Sequence, residues 1–170
     1  MKRLKRFFVC CVAVLMLGAL LSACGAKNEE QKDGGMDSFA IVAGGVEIAL
    51  GADAAPILSQ LGEPQSVQEV FDCGAGNSRM WYRFSSFDLF VMKDGKNETV
   101  DQIELHDDLI STKEGICIGS TEEKVREVYS DCAVSEQAGR LIFTKGDTLH
   151  LAVDVENGAV KDLMLKRDTQ

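Results

Sequence analysis

Leu50-Gly51-Ala52-Asp53, followed by Ile57 and Leu61, lines up without gaps on Ile118-Gly119-Ser120-Thr121, followed by Val125 and Tyr129. Each copy reads as an apolar residue, a glycine, a capping residue and a short amphipathic helix, a self-similarity that has to be read before any other signal. In the first copy Asp53 can cap the helix and Pro56 is tolerated within the first turn. Ala54, Ile57, Leu58 and Leu61 make an apolar stripe, and Gly62 and Pro64 stop it. In the second copy Ser120 and Glu123 fit the S-x-x-E capping box, with Val125, Val128 and Tyr129 on the buried side.

Helices this short must pack on something, and the segments after each of them supply it. Runs that alternate apolar and polar residues, or are rich in aromatic and β-branched ones, cover 67–73, 79–85, 87–93 and 99–106, then 133–137, 140–145, 148–156 and 159–166. Val100-Asp101-Gln102-Ile103-Glu104-Leu105 answers Val160-Lys161-Asp162-Leu163-Met164-Leu165, and glycine turns precede them at Asp94-Gly95 and Asn157-Gly158. The pattern predicts an α+β fold: two tandem units, about 39–110 and 111–170, each a helix followed by four antiparallel strands. Joined edge to edge, they would form one larger sheet with the helices on one face.

This order and duplication resemble the tandem-repeat fold of the beta-lactamase inhibitor protein and the SmpA/OmlA-type envelope lipoproteins. Leu61-Gly62-Glu63-Pro64, Asp72-Cys73, Trp81-Tyr82, Thr112-Lys113-Glu114-Gly115-Ile116 and Ile118-Gly119 also look like a group of uncharacterised Gram-positive lipoproteins. The resemblance implies a binding protein that grips its partner with the helix-free face of its sheet. The inhibitor-type repeat opens with two helices, and the chain departs from it by having only a strand-like Phe39 to Leu50 before Asp53.

The N-terminus reads as an export signal over residues 1–23. Lys2, Arg3, Lys5 and Arg6 precede an apolar run from Phe7 to Leu21, and Ser22-Ala23 stand before Cys24. That run of 15 residues falls short of the roughly 20 that a spanning helix needs. Leu21-Ser22-Ala23-Cys24-Gly25 resembles the bacterial lipobox, which implies cleavage before Cys24 and lipid attachment there, and hence a membrane-anchored lipoprotein facing away from the cytoplasm. One acyl chain, palmitate or similar, holds a protein marginally, so stable anchoring implies two or three. Residues 24–38 then form a polar, glycine-containing tether to a single domain over 39–170. Cleavage removes four cations and no anion, taking the net charge from −9 to about −13. Such acidity argues against nucleic acid and anionic membrane surfaces as ligands, and it also serves solubility.

After cleavage Cys73, Cys117 and Cys132 remain, allowing at most one internal disulfide. Cys117 and Cys132 flank a predicted helix whose ends stand about 15 Å apart, against about 5.5 Å for bridged Cα atoms. A bridge would therefore join Cys73 to Cys132 or Cys117, and three free thiols are the other reading.

No G-x-S-x-G, H-E-x-x-H, P-loop or Rossmann glycine pattern is present, so no catalytic residue, cofactor or metal site is expected. His106-Asp107-Asp108 reads as a solvated loop rather than a metal site, and Asp94, Asn97 and Glu98 read as a hairpin turn rather than a calcium loop. In Arg79-Met80-Trp81-Tyr82-Arg83-Phe84, alternation sets Arg79, Trp81 and Arg83 on one strand face and Met80, Tyr82 and Phe84 on the other. An exposed tryptophan between arginines has the composition of a binding hot spot; a Trp81 packed within a two-sided core is the competing reading. The expected function is a non-enzymatic envelope lipoprotein that binds a protein or another envelope component. The alternatives are a small-ligand or glycan receptor and, further off, a carboxylate-based hydrolase without a motif.

Overall fold

The computed structural model describes residues 38–71 and 78–168, all within one compact unit, Met36–Gln170. Strands β1 (Ala40–Ala43) and β2 (Val46–Ala49) pair across a two-residue turn at Gly44-Gly45, whose φ values of 58° and 85° suit glycine. Helix α1 (Ala54–Leu61) follows, with the Asp53 side chain accepting from the Ala55 N–H at 3.1 Å and Gly62 ending it at φ 79°. Then come β3 (Ser66–Phe71), β4 (Ser78–Arg83), β5 (Phe87–Asp94), β6 (Asn97–Leu105) and the short β7 (Ser111–Thr112), which pairs with β1. Helix α2 (Glu122–Val128) leads into β8 (Ala133–Gln137), β9 (Arg140–Lys145), β10 (Leu149–Glu156) and β11 (Ala159–Arg167).

The cap of α2 lies one residue beyond the expected Ser120–Glu123 box. Thr121 has the extended backbone of an N-cap, and its Oγ1 accepts from the Lys124 N–H at 3.3 Å. Ser120 is otherwise engaged: its Oγ accepts from the Cys117 N–H at 3.1 Å and closes the turn before the helix.

The main sheet is antiparallel with eight strands in the order β3-β4-β5-β6-β11-β10-β9-β8, and the small one has the order β2-β1-β7. Strands β6 and β11 meet at mid-sheet, with Leu105 opposite Leu163, Glu104 opposite Met164 and Ile103 opposite Leu165. One face of this sheet supplies Leu89, Val91, Val100, Ile103, Leu105, Leu141, Phe143, Leu151, Val153, Leu163 and Leu165 to the core. Phe39, Ile41 and Ile48 of the small sheet, Ala54 and Ile57 of α1, and Val125 and Tyr129 at α2 close over them. The Tyr129 ring lies 5.7 Å from that of Phe39 and 5.5 Å from that of Phe143. Its hydroxyl is 2.8 Å from Thr112 Oγ1 and 2.9 Å from Glu114 Oε2, so the polar tip of a buried ring is satisfied. Burial holds the Tyr129 phenol well above its ordinary pKa.

The expected α+β fold of two tandem helix-plus-four-strand units is corrected by this architecture. Of the described residues 55% are strand and 12% helix, a mostly β fold dominated by the eight-stranded sheet. The physical reason is coverage. Helices of eight and seven residues are about 12 Å long, too short to roof the sheet. The three-stranded sheet takes the remaining area, and Phe39 to Leu50, read as one strand-like stretch, folds into its hairpin.

Candidate functional site

Met80 and Tyr82 of β4 pack against the core, so alternation turns Arg79, Trp81 and Arg83 to the outer face of the sheet. All three expected binding residues come together there, and Trp81 is half-buried on that face rather than enclosed in the core. Its cross-strand neighbour is Phe90 of β5. The two rings stack with centroids 5.8 Å apart and planes 11° apart. The Arg83 guanidinium lies 4.4 Å from the centroid of the Trp81 ring, and that of Arg79 lies 5.7 Å from the centroid of Phe90. Arg83, Trp81, Phe90 and Arg79 thus form one continuous cation–aromatic stack.

Carboxylates sit beneath it. Arg79 Nη1 is 3.1 Å from Asp101 Oδ2, Arg83 Nε is 3.5 Å from Asp88 Oδ1, and His106 Nε2 is 3.2 Å from Asp88 Oδ2. Asp88 and Asp101 are only 4% and 2% exposed, unusual for acidic residues unless paired. The pairing is incomplete. Arg79 Nε, Trp81 Nε1 and Asp101 Oδ1 are buried without a hydrogen-bond partner among the described residues, and Asp88 Oδ1 is met by Arg83 alone. A buried polar atom left in this way costs about 1–3 kcal/mol, and three of them lie together beside the stack.

The outer face continues across β11, β10 and β9 with a different composition. Arg140 Nε and Nη2 donate to the two oxygens of Asp154 at 2.7 and 2.6 Å, and these bonds hold the Asp154 carboxyl below its ordinary pKa. Beside that pair is an open depression of about 800 Å3 whose lining includes Ile142, Asp162 and Lys161. His150 lies between Thr144 Oγ1 and Asp168 Oδ2, 3.1 Å from each.

The other candidates separate from this face. Asp107 Oδ1 accepts from the Leu109 N–H at 3.0 Å in a local turn, whereas His106 is drawn to Asp88. Among the described residues no group of three His, Cys, Asp or Glu side chains is placed to hold a metal ion. Asp94 and Asn97 face each other across the β5–β6 hairpin, and Glu98 pairs with Lys93 at 3.0 Å. Cys117 carries a free thiol 3.6 Å from Ser120 Oγ, and Cys132 packs half-buried against the core. Cys73, the other half of the expected bridge, and Cys24, the expected lipid site, lie outside the described residues. Among the described residues no helix is long and apolar enough to cross a membrane.

Sequence reasoning missed Phe90, Asp88 and Asp101. The signal for Phe90 was present: Phe87-Asp88-Leu89-Phe90-Val91-Met92 carries apolar residues on both faces, which marks a strand with an apolar patch away from the core.

No family model matches the chain, and no curated protein matches it either. Among solved structures it is similar to a cysteine-rich secretory protein from Staphylococcus aureus subsp. aureus Mu50, at 11% sequence identity and a TM-score of 0.47. The match covers 70% of this chain and 44% of that one, so the chain spans less than half of that protein's length. A likeness of this extent assigns neither architecture nor activity.

Proposed function

We propose that the protein is a lipid-anchored, extracytoplasmic envelope lipoprotein, attached through Cys24, whose outer sheet face binds another protein and performs no chemistry of its own. The observation that carries the binding reading is the Arg83–Trp81–Phe90–Arg79 stack standing over two incompletely satisfied carboxylates. Rigid aromatic and arginine anchors with buried polar groups awaiting partners are the make-up of a protein-binding hot spot. A glycan receptor fits less well. Sugars stack on an open aromatic face, and Trp81 has Phe90 against one ring face and the Arg83 guanidinium over the ring.

The test is a crosslinking pull-down from intact cells comparing the native lipoprotein with a variant carrying Arg79→Ala, Trp81→Ala and Arg83→Ala. Loss of a specific partner with the circular dichroism spectrum retained is the expected outcome. An unchanged partner set moves the site off this face.

A further inference from the structure

The eight-stranded sheet ends in two strands that pair on one side only, β3 with β4 and β8 with β9. Each presents a row of backbone N–H and C=O groups with no ladder partner among the described residues, which is a template for another strand. Natural sheets blunt such edges with Lys, Pro or a bulge. Neither β3 nor β8 contains Lys or Pro, and both pair with their inner neighbours without a register shift.

The side chains on the two edges match as well. Of the five exposed large hydrophobic residues among the described ones, Val67 and Phe71 are on β3 and Val134 is on β8, at 46%, 69% and 52% exposure. All three point to the core side of the sheet. Val67 stands opposite Tyr82, which packs on the core, Phe71 follows it by alternation, and Val134 stands opposite buried Phe143.

We propose that a second copy of this chain covers these residues: β8 of one copy adds to β3 of its neighbour, and the sheet continues from copy to copy. The polarity of the sheet fits. Every neighbouring pair in the eight-stranded order is antiparallel, so β3 and β8 run in opposite directions. A copy displaced along the sheet therefore brings β8 antiparallel to β3 with the same face toward the core.

One register suits the side chains. With Glu69 opposite the neighbour's Val134, that valine sits diagonally between Val67 and Phe71, and all three leave water together. Glu136 then falls opposite Val67, so no carboxylate directly faces another. Arg126 of α2, 3.9 Å from Glu136 and 43% exposed, comes within reach of Glu69, the diagonal neighbour of Glu136 in this register. On the outer side Gln68 meets Ser135 and Val70 meets Ala133, all uncharged. A two-fold pairing of β3 with itself that brought Val67 opposite Phe71 would set Glu69 against Glu69, which favours the β3–β8 contact. The proposal is independent of the outer-face reading, since it uses the strand edges and the core side.

Sedimentation velocity of the full-length lipoprotein in density-matched detergent micelles tests it. Two variants each close one edge at an exposed position: Val67→Glu sets a carboxylate against Glu136, and Val134→Glu sets one against Glu69. Circular dichroism checks that both keep their strand content. The native protein is expected to form dimers and longer chains as its concentration rises, and each variant alone to associate about tenfold more weakly or less. An equimolar mixture of the two variants should recover a 1:1 dimer, because each keeps the edge that the other lacks. A native protein that stays monomeric overturns the proposal without recourse to any variant. Association that neither variant weakens, or a mixture that behaves as its separate components do, overturns the β3–β8 contact as well.

Discussion

Leu89 and Phe90 are consecutive residues of one strand, and they belong to different parts of the molecule. Leu89 is fully buried among Ile103, Leu163, Val125 and the other core residues. Phe90 is half-buried on the outer face, stacked on Trp81 and reached by Arg79. The core face is saturated: its apolar side chains meet one another, and the hydroxyl of its largest ring has partners. The outer face is not, since it keeps Arg79 Nε, Trp81 Nε1 and Asp101 Oδ1 without hydrogen-bond partners among the described residues and sets carboxylate against carboxylate across neighbouring strands. Burying Asp88 and Asp101 on that face carries a desolvation cost that Arg83, His106 and Arg79 offset in part.

The largest effect that can break this comparison is on stability. Leu89→Ala is expected to cost about 2–5 kcal/mol, the usual range for emptying a buried leucine site. Phe90→Ala is expected to cost about 1–2 kcal/mol, from one aromatic contact and partial burial. Urea unfolding of both variants measures the pair. Equal losses would mean that the outer face is covered in solution, by self-association or otherwise, and the contrast between the faces would fall.

The two faces differed in how far they could be read from the chain. Strand positions followed from alternation where a strand has one face in the core, so β5, β9 and β10 begin and end close to the expected residues. The Arg79, Trp81 and Arg83 set was readable for the same reason. The fold class was not. Two amphipathic stretches looked like the heads of repeated units, whereas the length of each helix and the presence of a second sheet decide the architecture. The opposed carboxylates, Asp88 with Glu104 and Asp154 with Asp162, were beyond reach, since they depend on which strands pair and on two register shifts, at Phe90/Val91 and at Asp154/Val155. Those shifts left a trace. Two polar residues separate Val100 from Ile103, and two separate Val160 from Leu163, where strict alternation would have one.

A smaller effect sharpens the comparison within the outer face, where Asp154 stands opposite Asp162 and is gripped by Arg140. Hydrogen bonds from Arg140 depress the Asp154 pKa below its unfolded value. The stabilisation from this pair is therefore present above the ordinary aspartate pKa and is lost as pH falls through the lower, folded value. The side chains are 37% and 32% exposed, so solvent screening limits the contribution to about 1 kcal/mol or less. Asp154→Asn should remove that share of stability at pH 7 and reduce the acid-induced loss below about pH 4. Thermal unfolding at pH 7 and pH 3 checks both; an unchanged difference between the two pH values would mean that Arg140 does not engage Asp154 in solution.

The smallest effect has the opposite sign. Glu104→Gln with Asp162→Asn removes one charge from each opposed pair, so it relieves repulsion with Asp88 and with Asp154 without changing the shape of either side chain. Cross-strand pairs of this kind are worth about 0.2–1 kcal/mol, and the variant should be more stable than the native protein by a few tenths of that unit or more in low salt. Added salt should shrink the gain, because Asp154 and Asp162 are partly or fully exposed and screening weakens their repulsion. Chemical unfolding at two ionic strengths measures this. A destabilised variant would mean that the attraction of Glu104 and Asp162 to Arg140 outweighs their repulsion with Asp88 and Asp154. A stabilised one leaves two carboxylates that the fold is better without, on the face where the cation–aromatic stack also stands.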